Sequence, residues 1–103
     1  MTETMSHHYS SGNWLVISGQ EPEFIARWTE FLSWTKQNAP GLVSAQLIQD
    51  SEDPHHFISY SSWDSDEALQ RWRSMPEFAS KLGACRVLCQ DFRGTNYRLA
   101  AFV

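Results

Sequence analysis

The sequence predicts an α+β fold in which four strands and two helical segments follow one another in the order β-α-β-β-α-β. Two observations support this prediction. Stretches rich in β-branched and aromatic residues alternate with stretches whose apolar residues recur at helical spacing. Proline, glycine and acidic residues stand between these stretches, where turns and helix ends are expected.

The first strand is predicted at residues 13–18, which are rich in β-branched and aromatic side chains. A helix follows, because a proline between two acids at residues 21–23 suits its first turn. Proline and glycine within residues 38–41 end this helix. Residues 1–11 are mostly small and polar, so we predict a flexible leader before a single domain of residues 12–103.

A hairpin comes next, with strands at Leu42–Gln49 and residues 57–63 joined by a polar turn. Strict alternation places Leu42 on the face of its strand that carries Ser44. In the following strand, alternation gives one face two aromatic residues and two small hydroxyls: Phe57, Ser59, Ser61 and Trp63. Small hydroxyl side chains between aromatic ones leave space on that face of the strand. This pattern is typical of a strand that floors a cavity and equally of a strand that faces solvent.

The C-terminal part is predicted to hold a broken helical segment and a last strand. Asp64 is expected to cap the first piece, with Glu67 reaching back to it. Proline at residues 75–76 interrupts the segment, which restarts at residue 77 and continues to about residue 89. Gly94 is expected to end it, and residues 97–103 are predicted as the fourth strand.

This element order is that of a ferredoxin-like fold, a four-stranded antiparallel sheet with its helices on one face. The other face of the sheet would be bare, and a bare apolar sheet is an association surface. The chain also has five Trp, six Phe and three Tyr, which suggests a second burial surface in a partner or a ligand pocket. We therefore expect a homodimer that closes a dimeric α+β barrel through the sheet face.

Composition argues against several classes of function. The net charge of −4 and the scattered basic residues argue against a nucleic-acid partner. No apolar stretch approaches the roughly 20 residues that span a bilayer, so no membrane partner is expected. The N-terminus lacks the apolar core of a secretory signal, which predicts a cytoplasmic protein. No glycine-rich phosphate loop indicates a flavin or nicotinamide.

Metal-ligating residues are few and poorly spaced. Cys85 and Cys89 lie four residues apart, without the further ligands of a zinc site, and are interpreted as reduced, partly buried thiols. Adjacent histidines point in opposite directions on a strand, so each pair offers one ligand to a shared site. The pairs are His7 with His8 and His55 with His56. We predict no metal site.

The motifs of this chain resemble the antibiotic biosynthesis monooxygenase family over residues 13–103. The resemblance rests on Ala-Pro-Gly at residues 39–41, Ser-Glu-Asp-Pro at residues 51–54, and Trp-Asp-Ser-Asp-Glu-Ala-Leu at residues 63–69. The last motif continues to Trp72 and to Met-Pro-Glu-Phe at residues 75–78. The resemblance implies a cofactor-independent oxygenase that oxidises a small aromatic or apolar molecule with O₂. The alternative reading is a non-catalytic binding or stress-response dimer.

The resemblance also implies candidate site residues. Catalytic candidates are Asn13, Tyr60 and Trp72. Candidates for substrate contacts are Trp63, Ser59, Ser61, Leu69, Phe78 and Leu82. For Trp63, Tyr60 and Trp72, ordinary packing between strand and helix is the competing interpretation. Arg73 is a further candidate for the site, and a solvated helix residue is its favoured interpretation.

Heme degradation, which another branch of the family performs, is the less favoured implication. Trp63 and Trp72 match the two tryptophans of that branch. The position of its axial histidine is Leu82 here, which cannot bind iron. Its pocket asparagine aligns with Gly12, and Asn13 would point to the other face of the strand. We therefore expect no heme and no other cofactor.

Overall fold

The computed structural model describes residues 8–103 and has the predicted layers. The strands are β1 (His8–Val16), β2 (Leu42–Gln49), β3 (His56–Trp63) and β4 (Cys89–Arg98), and the helices are α1 (Glu21–Asn38), α2 (Asp66–Arg73) and α3 (Pro76–Arg86). The sheet is antiparallel in the order β2-β3-β1-β4. The ferredoxin-like prediction is confirmed.

The core lies between the sheet and the helices. Fully buried side chains include Phe24 on α1, Phe57 and Trp63 on β3, and Leu69 on α2. Phe24 and Phe57 pack with ring centroids 5.1 Å apart. The three helices pack on this one face, and within residues 8–103 no helix covers the opposite face of the sheet. No helix in the described part of the chain has the length and apolar character needed to cross a membrane.

The first strand begins earlier than the sequence predicts. Residues 8–11, assigned above to a flexible leader, are paired in β1 with β3 on one side and β4 on the other. The polar side chains of these residues gave no signal for a strand. Their backbone is nevertheless held in one, because it is paired with a neighbouring strand on each side. Residues 1–7 of the predicted leader lie outside the described residues.

The fourth strand is where the sequence prediction differs most from the structure. It spans Cys89–Arg98, not residues 97–103, and Gly94 lies within it. The preceding helix accordingly ends at Arg86, three residues before the predicted end. β4 is an edge strand with Asp91 and Arg93 on its open face. Charges on an edge strand discourage aggregation, and they also remove the apolar alternation that would mark it as a strand.

Two local predictions also need correction. Ser65, not Asp64, caps α2, because its hydroxyl accepts the Ala68 N–H at 3.1 Å. An irregularity between Leu42 and Ser44 adds a residue to β2 and moves Leu42 to the helix-covered face. The alternation in β3 is as predicted, with Phe57, Ser59, Ser61 and Trp63 all buried.

Gly41 joins two of the motifs singled out above. Its φ of +103° is one that side chains rarely adopt. A Cβ there would lie 2.5 Å from the Cβ of Ala68 and 2.8 Å from Oδ1 of Asp64. The main-chain N–H of Asp64 also donates to the Gly41 carbonyl at 2.9 Å. The Ala-Pro-Gly turn and the start of α2 therefore pack together only because residue 41 is glycine.

Candidate functional site

A cavity of about 250 Å³ lies between the sheet and the helices. Its floor is formed by three neighbouring rows of residues across β4, β1 and β3, of which all members except Asn96 and Phe57 line the cavity. The first row is polar: Asn96, Ser10 and Ser61. The second row is small: Gly94, Gly12 and Ser59. The third row is aromatic: Phe92, Trp14 and Phe57. The cavity floor thus runs from polar to apolar across the small row.

Gly12 lets the Trp14 indole and the Ser59 hydroxyl approach the backbone at the centre of this floor. The Trp14 indole N–H donates to Oγ of Ser59 at 3.0 Å, across the strand from Gly12. A Cβ on Gly12 would lie 2.7 Å from the indole nitrogen and 2.9 Å from that hydroxyl. Gly94 lies opposite Gly12, and a Cβ there would be 3.1 Å from the Phe92 ring. Glycine inside a strand often marks such a close approach.

The roof of the cavity is aromatic and comes from the helices. Trp72 stacks against Phe31 at 5.6 Å and meets Phe78 edge-on at 4.8 Å. Its other neighbour is Trp63, whose ring centroid is 4.8 Å away. Aromatic pairs at these distances add stabilisation beyond their buried area. The roof is therefore a fixed set of rings, suited to a flat apolar ligand.

Arg73 places a cation at the polar end of the cavity. One terminal nitrogen donates to Oγ of Ser10 at 2.8 Å and to Oδ1 of Asn96 at 2.6 Å. Its Nε is buried without a hydrogen-bond partner. None of the ion pairs among the described residues includes Arg73. Burial lowers the pKa of this guanidinium, which nevertheless stays charged at neutral pH.

A partly buried cation whose buried Nε has no hydrogen-bond partner and which faces no carboxylate is incompletely compensated. Ser10 and Asn96 offer Arg73 only neutral acceptors. An anionic oxygen on a ligand would provide the missing partner, since charge-assisted hydrogen bonds are about twice as strong as neutral ones. The guanidinium also lies 5.9 Å from the centroid of the Phe78 ring. The arrangement therefore suits a ligand with an aromatic body and an acidic oxygen.

Two serines on β3 have hydroxyl protons left to donate. Ser59 accepts the Trp14 indole N–H at 3.0 Å, and Ser61 accepts that of Trp63 at 2.9 Å. An indole N–H can only donate, so each serine oxygen acts as an acceptor in these bonds. Each hydroxyl keeps its own proton, and both residues line the cavity. They can supply donors to a ligand oxygen.

Most predicted contact residues meet at this cavity. Ser59, Ser61, Phe78 and Leu82 line it, as does Trp72. The Trp72 indole N–H, however, donates to Oγ1 of Thr35 at 3.0 Å inside the core. Trp72 therefore presents ring surface to the cavity and has no free donor for a catalytic role. Arg73 lines the cavity as well, so its interpretation as a solvated residue is wrong.

Asn13 lies outside this group. The register pairs Gly12 with Ser59 on the covered face, so Asn13 projects from the opposite face of β1. Its Oδ1 is 3.0 Å from Nε2 of His56, whose Nδ1 is 3.0 Å from Oδ2 of Asp50. These three residues form a chain of hydrogen bonds on the uncovered face of the sheet.

Tyr60, Trp63 and Leu69 also differ from the predicted roles. Tyr60 borders the cavity, but its hydroxyl donates to Oε1 of Gln46 on the uncovered face. Trp63 is fully buried beneath Trp72 and supports the roof. Leu69 is also buried in the core and is absent from the cavity lining. Adjacent residues alternate between faces, which separates Tyr60 from its neighbouring serines.

No metal centre is found among residues 8–103, where no cluster of three His, Cys, Asp or Glu side chains has suitable geometry. His55 is paired with Glu21, its Nδ1 lying 2.7 Å from Oε2. His56 is bound as described above. His7 lies outside the described residues.

Sequence patterns alone do not identify several residues of the cavity: Ser10, Gly12, Trp14, Trp28, Phe31, Leu32, Phe92 and Gly94. The two glycines carry a usable signal, because glycine inside a strand marks a bulge or a close approach. That signal requires the strand limits to be known, and the predicted limits put both glycines at segment ends.

Comparison with known proteins agrees with the fold and the motifs. A family model described as "Antibiotic biosynthesis monooxygenase" matches residues 12–80. A heme oxygenase (mycobilin-producing) from Mycobacterium tuberculosis is 29% identical over 68 residues, which cover 66% of this chain and 64% of that protein. The chain thus matches less than two thirds of that relative's length.

Solved structures match nearly the whole chain. SnoaB, a cofactor-independent oxygenase from Streptomyces nogalater, is 16% identical with a TM-score of 0.82, covering 95% of this chain and 98% of SnoaB. A conserved protein from Methanosarcina mazei is 15% identical with a TM-score of 0.80, covering 91% and 93% of the two chains. At these identities the likeness shows the fold alone.

Proposed function

The chain belongs to the antibiotic biosynthesis monooxygenase family, and from this membership we propose that it oxidises a small phenol with O₂ without a cofactor. The observation that carries the proposal is Arg73, a guanidinium in an aromatic cavity with a buried Nε that has no partner. A fixed cation lowers the free energy of an anion beside it. A phenol that loses its proton there becomes an electron-rich phenolate, the form that reacts with O₂.

The floor of the cavity fixes the direction of the ligand. The phenol oxygen lies at the polar row, near Arg73, Ser10 and Asn96. The ring lies against the Trp14 indole and the Phe92 ring, which pack close over Gly12 and Gly94. The apolar end of the ligand points toward the aromatic row and is enclosed by the roof.

The reaction follows from this placement. The phenol O–H proton passes to water as Arg73 stabilises the oxyanion. The phenolate gives electrons to O₂, and a C–O bond forms at a ring carbon that carries hydrogen. That C–H bond and the O–O bond then break, which leaves a quinone and one water. For a naphthol the balance is C₁₀H₈O + O₂ → C₁₀H₆O₂ + H₂O. The hydroxyls of Ser59 and Ser61 are placed to stabilise the peroxide oxygens.

The cavity residues do not fit a heme. Iron is held in proteins by His, Cys, Met or Tyr side chains. Among the described residues that line the cavity there is no His, Cys or Met, and the Tyr60 hydroxyl is bound on the opposite face. Leu82, which the resemblance matches to the axial histidine of the heme-degrading branch, lines the cavity and cannot bind iron. The proposed reaction therefore involves no heme.

The test is oxygen uptake with 1-naphthol as the probe, with quinone absorbance followed in parallel. We expect one O₂ consumed per quinone formed, without added metal. Arg73→Gln should lower the rate at least tenfold, since it removes the charge that stabilises the phenolate. Arg71→Gln is the matched control, because Arg71 lies on the same helix and is exposed. No uptake by the wild-type protein, or equal rates in both variants, would refute the proposal.

One observation favours a second function, that of a binding protein that sequesters the phenol. Among the described residues lining the cavity there is no Asp, Glu, His or Lys, so the cavity has no ordinary general base. A binding protein needs the cation but no base. Saturable binding of 1-naphthol with no oxygen uptake by the wild-type protein would establish this function.

We also propose that two copies associate through the uncovered face of the sheet. That face carries apolar and aromatic groups from different strands, among them Ile48, which is 52% exposed, and Tyr97, which is 57% exposed. Burying such groups against a second copy removes apolar surface from water. A closed barrel of two sheets would follow.

A further inference from the structure

Trp28 differs from the buried tryptophans of the chain. Trp14, Trp63 and Trp72 are at most 5% exposed, and each donates its indole N–H to a side chain within the fold. Trp28, on α1, is only half-buried. Across residues 8–103 no hydrogen bond or ring contact restrains its indole, which simply packs against the edge of the core. It is held more weakly than the other three.

Trp28 also separates two hollows. On one side is the cavity of about 250 Å³ that contains Arg73. On the other is a groove of about 340 Å³ between α1 and β2, which opens at the surface near Val43. Trp28 and Leu32 line both hollows. These two side chains form the partition between the cavity and the groove. Leu32 is the more deeply buried of the two, at 9% exposure.

We infer that Trp28 sets the largest ring system that the cavity admits. The ligand class rests on the function proposed above. Cavities for drug-sized ligands span about 300–1,000 Å³, so a cavity of about 250 Å³ is small. Removal of the indole would join the cavity to the groove and bring the combined space into that range. With Trp28 in place the site holds one or two fused rings, and without it a longer polycyclic phenol extends toward β2.

The test compares Trp28→Ala with Trp34→Ala. Trp34 is a tryptophan on the same helix with partial burial, lies 5.6 Å from the Lys81 ammonium, and lines neither hollow. Binding of 1-naphthol and of 1-hydroxypyrene is measured by calorimetry without oxygen. We expect the wild-type protein to bind the four-ring probe at least tenfold more weakly than the two-ring probe. Trp28→Ala should raise the affinity for the larger probe relative to that for the smaller one at least tenfold.

Trp28→Leu keeps more of the packing and should give an intermediate gain, which guards against a folding defect in the alanine variant. An unchanged ratio of the two affinities in both Trp28 variants would overturn the inference. So would an equal gain in Trp34→Ala, or failure of the wild-type protein to bind either probe. Oxygen uptake is measured separately. If the Trp28 variants bind the larger probe more strongly but the wild-type protein takes up no oxygen, only the proposed reaction is refuted. If the wild-type protein takes up oxygen but the Trp28 variants keep the same ratio of affinities, only the role of Trp28 is refuted.

Discussion

Replacing Gly12 by alanine tests the account of the cavity floor. The added Cβ would lie 2.7 Å from the indole nitrogen of Trp14 and 2.9 Å from Oγ of Ser59. The indole must move, and its hydrogen bond to Ser59, 3.0 Å long and buried, is strained or lost. Overpacking a core typically costs about 1–3 kcal/mol, and an unsatisfied buried donor costs about the same. The two terms overlap, so we expect a loss of about 2–3 kcal/mol.

Gly83→Ala is the matched control for this substitution. Gly83 lies within α3, and a Cβ there would meet nothing within 4 Å. Alanine in a helix interior is favoured over glycine by roughly 0.5–1 kcal/mol, so this variant should be more stable. Urea unfolding followed by tryptophan fluorescence measures both changes. If Gly12→Ala were as stable as the wild-type protein, the close approach of Trp14 to residue 12 would be refuted.

Three further predictions concern other parts of the chain. Burial raises the pKa of Cys85 from 9.0 to about 12. Above pH 9 the unfolded chain therefore loses a proton that the folded chain keeps. The free energy of unfolding should fall by about 1.4 kcal/mol at pH 10, and Cys85→Ala should reduce this fall, as measured by urea unfolding. The same dependence of the unfolding free energy on pH in the variant and the wild-type protein would contradict the prediction. A hydrogen bond from His56 lowers the pKa of Asp50, so stability from this pair is present above pH 3.8 and is lost in acid. His56→Ala should raise the pKa of Asp50 toward 3.8 in an NMR titration, and no change would refute the pairing. Ile48→Asp should convert a dimer to a monomer in light scattering, whereas Val87→Asp, at a side chain 73% exposed outside the sheet, should not; a dimer in both variants contradicts the proposed interface.

The layers of the fold could be predicted because their signals are local. The two strands of the hairpin alternate with a polar turn between them, and α1 has an apolar stripe with proline near each end. The grouping of residues on the two faces of β3 followed from strict alternation, since a period of two fixes which residues share a face. The amino-acid sequence alone therefore places Ser59 and Ser61 together on one face.

The fourth strand could not be predicted in the same way. Asp91, Arg93 and Arg98 interrupt its apolar pattern, because an edge strand with one uncovered face tolerates charge. The uncharged tail at residues 99–103 resembles a strand by composition, yet none of it is paired in the sheet. Phe102 is 73% exposed, so the apolar composition of this tail marks neither burial nor strand formation.

The cavity could be predicted only in part, for a related reason. Its shape depends on the register of β1 between β3 and β4, which brings Gly12 and Gly94 together. A shift of one residue would have turned Asn13 inward instead, and the sequence does not fix that choice. The resemblance offered Arg73 as a candidate, but its position at the cavity could not be predicted, because the burial of a long cationic side chain depends on the rotation of its helix over the sheet.

The central claim is that Arg73 holds an anionic phenol oxygen in the cavity. The most direct measurement is the absorbance spectrum of 1-naphthol bound without oxygen, at a pH below the pKa of the free phenol. We predict the phenolate spectrum in the wild-type protein and in Arg71→Gln, and the neutral phenol spectrum in Arg73→Gln. A neutral phenol spectrum in the wild-type complex, or a phenolate spectrum that persists in Arg73→Gln, would contradict the account.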